Sequence, residues 1–404
     1  MVSLFDHRSE CLDPALRWDP TATPQRSTPV NAASAIPQRR LTFVDGLRGL
    51  LALLIVLHHV GDFVAAPAFL EALTQGRYRL ALFMLLSGFV LYLPSAGAAT
   101  VRMPRPLLDL AHRRARRLLP AWYASLLLCV SVGVLFAYAG YSPPFPFLPC
   151  DWQDVVTHLT MTHSVTGYAG SINGPGYTLG TEWQMSLLMA VFLPLAARAG
   201  WLPLIGLVSA LAVVTLPHPF GPVVYKLFPP EFTLPFVLGL AAARLARFPA
   251  ERLRVPPSTL VPVLAAVFVS GVAANAILFL RYPNNFALLA ASASVAGGAF
   301  CVLMAWHPGN ALNRLLSHRV LQALGRISYS IYLTHFPLLA LCGFAASRLG
   351  LSGQPAFYRV FLPALPLLVA FAWAFYQAFE RPFLRRRPEG TASVAPACLA
   401  PAPR

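Results

Sequence analysis

Long apolar runs dominate this chain and limit what it can fold into. Ten stretches, at roughly 44–63, 79–96, 118–138, 176–196, 200–217, 232–246, 258–280, 286–306, 327–347 and 359–379, carry few charges. About 18 or more apolar residues at 1.5 Å per helical residue match a hydrocarbon core about 30 Å thick. A helix satisfies its own backbone polar groups in lipid, where an open sheet edge does not. The expected fold is therefore all-α, a polytopic membrane protein with about ten transmembrane helices. With 57% hydrophobic and 11% charged residues, the chain has too little charge to clothe a soluble surface.

The net charge of +16 raises the question of nucleic acid, and its distribution answers against that partner. Every basic residue except Lys226 is Arg, and the arginines sort by side. With the N-terminus inside, roughly 25 Arg fall on the inner side and about six Arg or Lys on the outer side, as the positive-inside rule requires. An even number of spans then puts both termini in the cytoplasm, and a multi-pass protein of the bacterial inner membrane is expected. The longest outer loop, about 139–175, holds Asp151 and Asp154 and no Arg or Lys. Residues 1–40 are polar, with no apolar core before a small-residue cleavage site, and are expected to be a disordered cytoplasmic tail rather than a signal peptide. Residues 41–383 form the membrane domain, and 384–404 a second cytoplasmic tail. The six cysteines show no paired or metal-ligand spacing, so neither a disulfide nor a metal site is expected.

Ionisable groups inside a bilayer are costly, and each one marks a candidate site. The first span carries Asp45, Arg48 and His59. Eleven residues make three turns plus about 20°, so Arg48 and His59 share a face about 16 Å apart. Asp45 lies one turn before Arg48 on that face, and His58 points about 100° away. Interfacial anchoring explains Asp45 and Arg48 equally well; it explains the histidines less well. The fourth span opens on Asn173-Gly-Pro-Gly-Tyr177 and then carries Glu182, Trp183 and Gln184. Glu182 is the carboxylate set deepest in any span, and a buried carboxylate needs a partner or a changed pKa. Both His59 and Glu182 fall near the outer side by helix rise, and a His beside a carboxylate suits general-base work.

The inner end of the third span carries Arg113, Arg114, Arg116 and Arg117. Topology-setting arginines against anionic lipid explain that run. A polyphosphate site explains it too, since guanidinium forks match phosphate oxygens. The ninth span adds Tyr329 and His335, the latter equally read as a structural hydrogen-bonding residue.

Taken in order, VDGLRGLLALLIVLHH, FMLLSGFVL, RRARRLLPAWY, GRISYSIYLTHFPLL and ERPFLRR resemble the acyltransferase 3 family of bacterial membrane O-acyltransferases. The resemblance runs from about Leu41 to Phe383. That family's first helix separates an Arg from a His by ten residues, which matches Arg48 and His59 rather than His58. Its fourth-helix motif, commonly WSLSVEEQFYLL, here reads YTLGTEWQMSLL. Glu182 and Gln184 are kept, Tyr177 replaces Trp, and Trp183 stands where a second Glu is common.

The resemblance implies transfer of an acyl group, often acetyl, from cytoplasmic acyl-CoA to a hydroxyl of a glycan, a lipid-linked sugar or a small molecule. Acyl-CoA would be a co-substrate, with no bound cofactor. The expected arrangement has the four arginines on the donor's phosphates, Arg48 lining the route to the thioester, His59 as general base, and Glu182 orienting His59 or binding the acceptor. Asp45, Asn173, Tyr177, Trp183, Gln184, Tyr329 and His335 complete the expected substrate contacts. A proton-coupled transporter using Arg48, His59 and Glu182 as a relay is the alternative, and a catalytically silent scaffold is a third reading.

Overall fold

The computed structural model describes residues 41–67, 78–93, 106–199, 206, 229–247, 257–282 and 284–384. All regular elements among them are helices. They are α1 (Thr42–Val60), α2 (Tyr78–Tyr92), α3 (Pro106–Tyr138), α4 (Trp152–Leu159), α5 (His163–Thr166), α6 (Tyr177–Ala199), α7 (Pro230–Arg247), α8 (Pro257–Arg281), α9 (Phe286–Trp306), α10 (Ala311–Leu316), α11 (Arg319–Arg326) and α12 (Ser328–Arg348). A last helix, α13 (Gly353–Phe383), runs through two π-helical stretches, Phe357–Phe361 and Tyr376–Glu380. Six of these contain spans long and apolar enough to cross a membrane: α1, α3, α8, α9, α12 and α13. Nine of the ten expected spans coincide with a helix, and the one at 200–217 lies almost wholly outside the described residues. α3 begins well before the expected 118, so the arginine run is part of the helix and its rotation decides where each guanidinium goes.

Lipid gives apolar side chains no reason to leave it, so helices in a bilayer associate by close backbone approach and polar contacts. α2 and α7 use glycines for this. A Cβ on Gly88 would collide with the Phe236 carbonyl, and one on Gly239 with the Leu85 carbonyl. The glycines of the VDGLRG motif do the same for α1 against α10 and α11: Gly46 rests on the Leu316 carbonyl and Gly49 on the Leu321 carbonyl, and from α11 Gly325 rests on the Asp45 carbonyl. Three apolar clusters result. Phe43, Leu51, Leu85, Phe89 and Phe236 join α1, α2 and α7. Trp122, Phe136, Phe147 and Phe336 join α3, the 139–176 segment and α12. Val56, Val60, Ile331 and Phe361 join α1, α12 and α13. None of the most apolar part of α8 is buried, which fits a helix facing lipid.

The 139–176 segment is a folded cap rather than an open loop. Asp151 caps α4 by accepting from the Asp154 amide at 2.8 Å, the expected role of an N-cap carboxylate. Met161 and Ile172 adopt φ of 59° and 55°, a left-handed conformation costly for a β-branched side chain. Both are buried in the second cluster, whose packing holds them there.

Candidate functional site

Two neighbouring cavities lie along α1. The larger, about 470 Å³, is lined by Ile55, His58, His59, Asp62, Tyr177, Phe232 and Phe336 among others. The smaller, about 40 Å³, is lined by Arg48, Glu182, Ser328 and Tyr329. Ile55, Leu80, Thr178 and Tyr332 line both and form the partition. The Tyr332 hydroxyl is held there by the Pro175 carbonyl and the Thr178 hydroxyl. Arg48 and His59, on one face of α1, therefore address different cavities separated by this wall.

His59 sits in the last turn of α1, and its carboxylate partner is Asp62 in the turn that follows, at 2.6 Å from Nδ1. An ionised carboxylate only accepts, so Nδ1 carries a proton, and in the neutral imidazole Nε2 then holds the lone pair. That is the tautomer of a general base oriented by a carboxylate. The imidazole is 21% exposed, so the cavity can reach it. Behind it lies His335, fully buried, with ring centroids 5.2 Å apart.

The expected pairing of His59 with Glu182 is not formed. Glu182 instead accepts from the Ser87 hydroxyl at 2.9 Å and from Arg114 Nη2 at 3.4 Å. The reason is rotation: α6 turns Glu182 toward α2 and α3, while Asp62 follows His59 by three residues and reaches it locally. Arg48 and Arg114 lie within electrostatic range of Glu182 and of Arg117, and Glu380 within range of Arg48 and Arg117. Glu380 is buried and accepts from Ser330 at 2.8 Å.

The arginine run divides by helical rotation. Arg114 and Arg117 face inward, while Arg113 and Arg116 are exposed. Tyr329 lines the small cavity and donates to the Leu118 carbonyl at 3.0 Å. Tyr177 lines the large cavity. Three further expected substrate contacts also touch the protein itself. Gln184 donates to Ser164 at 2.9 Å, Trp183 packs in the second cluster, and Asp45 presents its backbone to Gly325. Asn173 is buried and donates to the Leu333 carbonyl at 3.2 Å. Pro337, four residues on, has no N–H to give that carbonyl, so Asn173 satisfies the acceptor that the proline frees.

The cap contributes a polar cluster that the sequence reading passed over. Asp154 accepts from the Ser171 hydroxyl at 2.6 Å and the Cys150 amide at 2.9 Å, and lies 2.9 Å from His158 Nδ1. The His158 ring stacks on His163 at 4.3 Å, and both stack against Trp122. Burial opposes the Asp154 charge, yet the Ser171 and Cys150 hydrogen bonds hold its carboxyl below the ordinary value. Burial, reinforced by His158, pushes His163 down to about 4. The i, i+4 spacing of Asp154 and His158 was the signal available in the sequence.

The chain is 24% identical over 376 residues to a Bacillus subtilis protein that carries the provisional name peptidoglycan O-acetyltransferase YrhL. The alignment covers 85% of this chain and 55% of that relative, so the chain spans about half the length of the relative it matches. No solved structure matches. The family model described as an acyltransferase domain matches residues 41–377, which takes in both cavities, the cap and the arginine run. The chain therefore belongs to the acyltransferase 3 family of multi-pass membrane proteins.

Proposed function

We propose that this protein moves an acyl group, acetyl in the simplest case, from cytoplasmic acyl-CoA to a glycan hydroxyl, with His59 as general base. The observation that carries the reading is the Asp62–His59 pair at the edge of the 470 Å³ cavity. A cavity of that size with aromatic walls and a few polar groups suits a sugar unit. The name of the Bacillus subtilis relative favours a cell-wall glycan as acceptor.

In this mechanism the exposed Arg113 and Arg116 meet the phosphates of the donor at the inner surface. Arg114, Arg117 and Arg48 line the route inward, with Glu182 and Glu380 offsetting part of their charge. The acyl end passes the Tyr332–Thr178 partition into the large cavity. The acceptor hydroxyl gives its proton to Nε2 of His59 as its oxygen bonds to the acyl carbon. The carbon–sulfur bond then breaks, and the thiolate takes that proton from His59. Asp62 stabilises the imidazolium formed between these events. Both termini and the phosphate site lie on the cytoplasmic side of the inner membrane, and the cap lies on the outer side.

The reading is tested by supplying radiolabelled acetyl-CoA to membranes that contain the protein together with cell-wall glycan. Label should enter the glycan as alkali-labile ester only when the protein is present. Proton-coupled solute flux with no consumption of acetyl-CoA would instead support the transporter.

A further inference from the structure

His335 lies behind His59, outside the walls of the large cavity, and has no solvent contact. Its Nδ1 stands 2.7 Å from the Tyr332 carbonyl and 3.2 Å from the Ile331 carbonyl. Carbonyls only accept, so Nδ1 carries the proton and Nε2 holds a lone pair. That Nε2 is buried and has no hydrogen-bond partner among the described residues. A buried acceptor left unpaired forfeits a hydrogen bond at a cost the fold must absorb elsewhere, so its retention calls for a reason.

The neighbour supplies one. His59, in the resting pair, also has its proton on Nδ1, shared with Asp62, and a lone pair on Nε2. Two imidazoles in this tautomer, with ring centroids 5.2 Å apart and planes tilted by 42°, set two bases side by side. The environment becomes complementary only when a proton arrives. We infer that His335 is a positioning residue for His59, its Nε2 sharing the proton that His59 takes from the acceptor hydroxyl. No bond to His335 forms or breaks apart from that hydrogen bond, and the proton returns through His59 to the departing thiolate. The site would then be an Asp62–His59–His335 array, poised for the charged state that exists only during transfer. This replaces the expectation that His335 contacts substrate, and it rests on the acyltransferase reading given above.

The discriminating variants are His335→Asn and His335→Gln, assayed in membranes at matched protein levels. The Asn amide can still donate to the Tyr332 and Ile331 carbonyls but has nothing at the Nε2 position. The Gln amide reaches that position with an oxygen that accepts a hydrogen bond as the imidazole nitrogen would. Sharing predicts that kcat falls about 10-fold or more in His335→Asn and recovers at least part of that loss in His335→Gln, with KM for donor and acceptor unchanged in both. Wild-type kcat in His335→Asn overturns the inference, as does a raised KM with kcat intact, which would mean substrate contact. If His59→Ala abolishes transfer while both His335 variants keep it, only this inference fails. If the wild-type protein transfers no acyl group, the underlying reading fails.

Discussion

The Asp62 carboxylate accepts a 2.6 Å hydrogen bond from Nδ1 of His59, just past the end of α1 and at the edge of the large cavity. This pair gives a membrane histidine a fixed tautomer, and the first prediction follows from it. Asp62→Asn can turn its amide oxygen or nitrogen toward His59 and no longer enforces the Nδ1–H form. Acyl transfer should drop roughly 10- to 100-fold with little change in thermal stability, since the pair is partly exposed. Initial rates and melting curves on the same preparation check both halves.

Glu182 is predicted to matter for a different reason. It is the carboxylate that directly pairs Arg114 and accepts from Ser87. Glu182→Ala leaves a cluster of like charges, with Glu380 and Asp45 as the remaining nearby carboxylates. A loss of roughly 2 kcal/mol is expected, below that for a fully buried pair because the side chains are 10% and 24% exposed. The measurement is an apparent Tm in detergent, which should fall by several degrees, with a smaller fall for Glu182→Gln.

Gly325 predicts a packing failure remote from the chemistry. A Cβ there would overlap the Asp45 carbonyl, backbone against backbone with no flexible atom to yield. Gly325→Ala should force α11 away from α1 and cost about 1–3 kcal/mol. Size-exclusion profiles of the solubilised variant should show loss of the monodisperse peak on mild heating.

The cap predicts a pH dependence of its own. His163 has its value pushed from an ordinary 6.5 to about 4, so the unfolded cap binds a proton that the folded cap refuses between those values. Its contribution is intact above about pH 6.5 and is lost as pH falls through about 4, for a total near 3 kcal/mol. His158, Asp154 and Trp122 surround it, and Asp154, held below the ordinary range, stays charged over most of that window. Hydrogen exchange at the Met161 and Thr162 amides should accelerate as pH is lowered from 7 to 4, after correction for intrinsic rates. His163→Gln should flatten that trend.

The sequence made the helices legible because lipid demands long apolar runs, and nine expected spans coincide with observed helices. It also placed Arg48 and His59 on one face of α1, a matter of rotation alone. Partners were less legible. Asp62 sits three residues past His59, a spacing visible in the chain, yet Glu182 drew attention because it lay deeper in a span. That Glu182 meets Ser87 and Arg114 depends on how α6 packs against α2 and α3, which a single helix does not encode. The bond from Asn173 to the Leu333 carbonyl was not legible, because nothing local revealed that Pro337 would free that acceptor. The cap was read as a loop because its helices are short and its core is built from His, Trp and Asp rather than aliphatic side chains.

The central claim is that His59 removes the acceptor's proton. A cell-based assay of glycan O-acylation with His59→Ala, at membrane levels matched to wild type, tests it most directly. The account predicts a loss of about 100- to 10,000-fold, the usual contribution of a positioned base, and a far smaller loss for His58→Ala. Acylation by His59→Ala within a few-fold of wild type would contradict it.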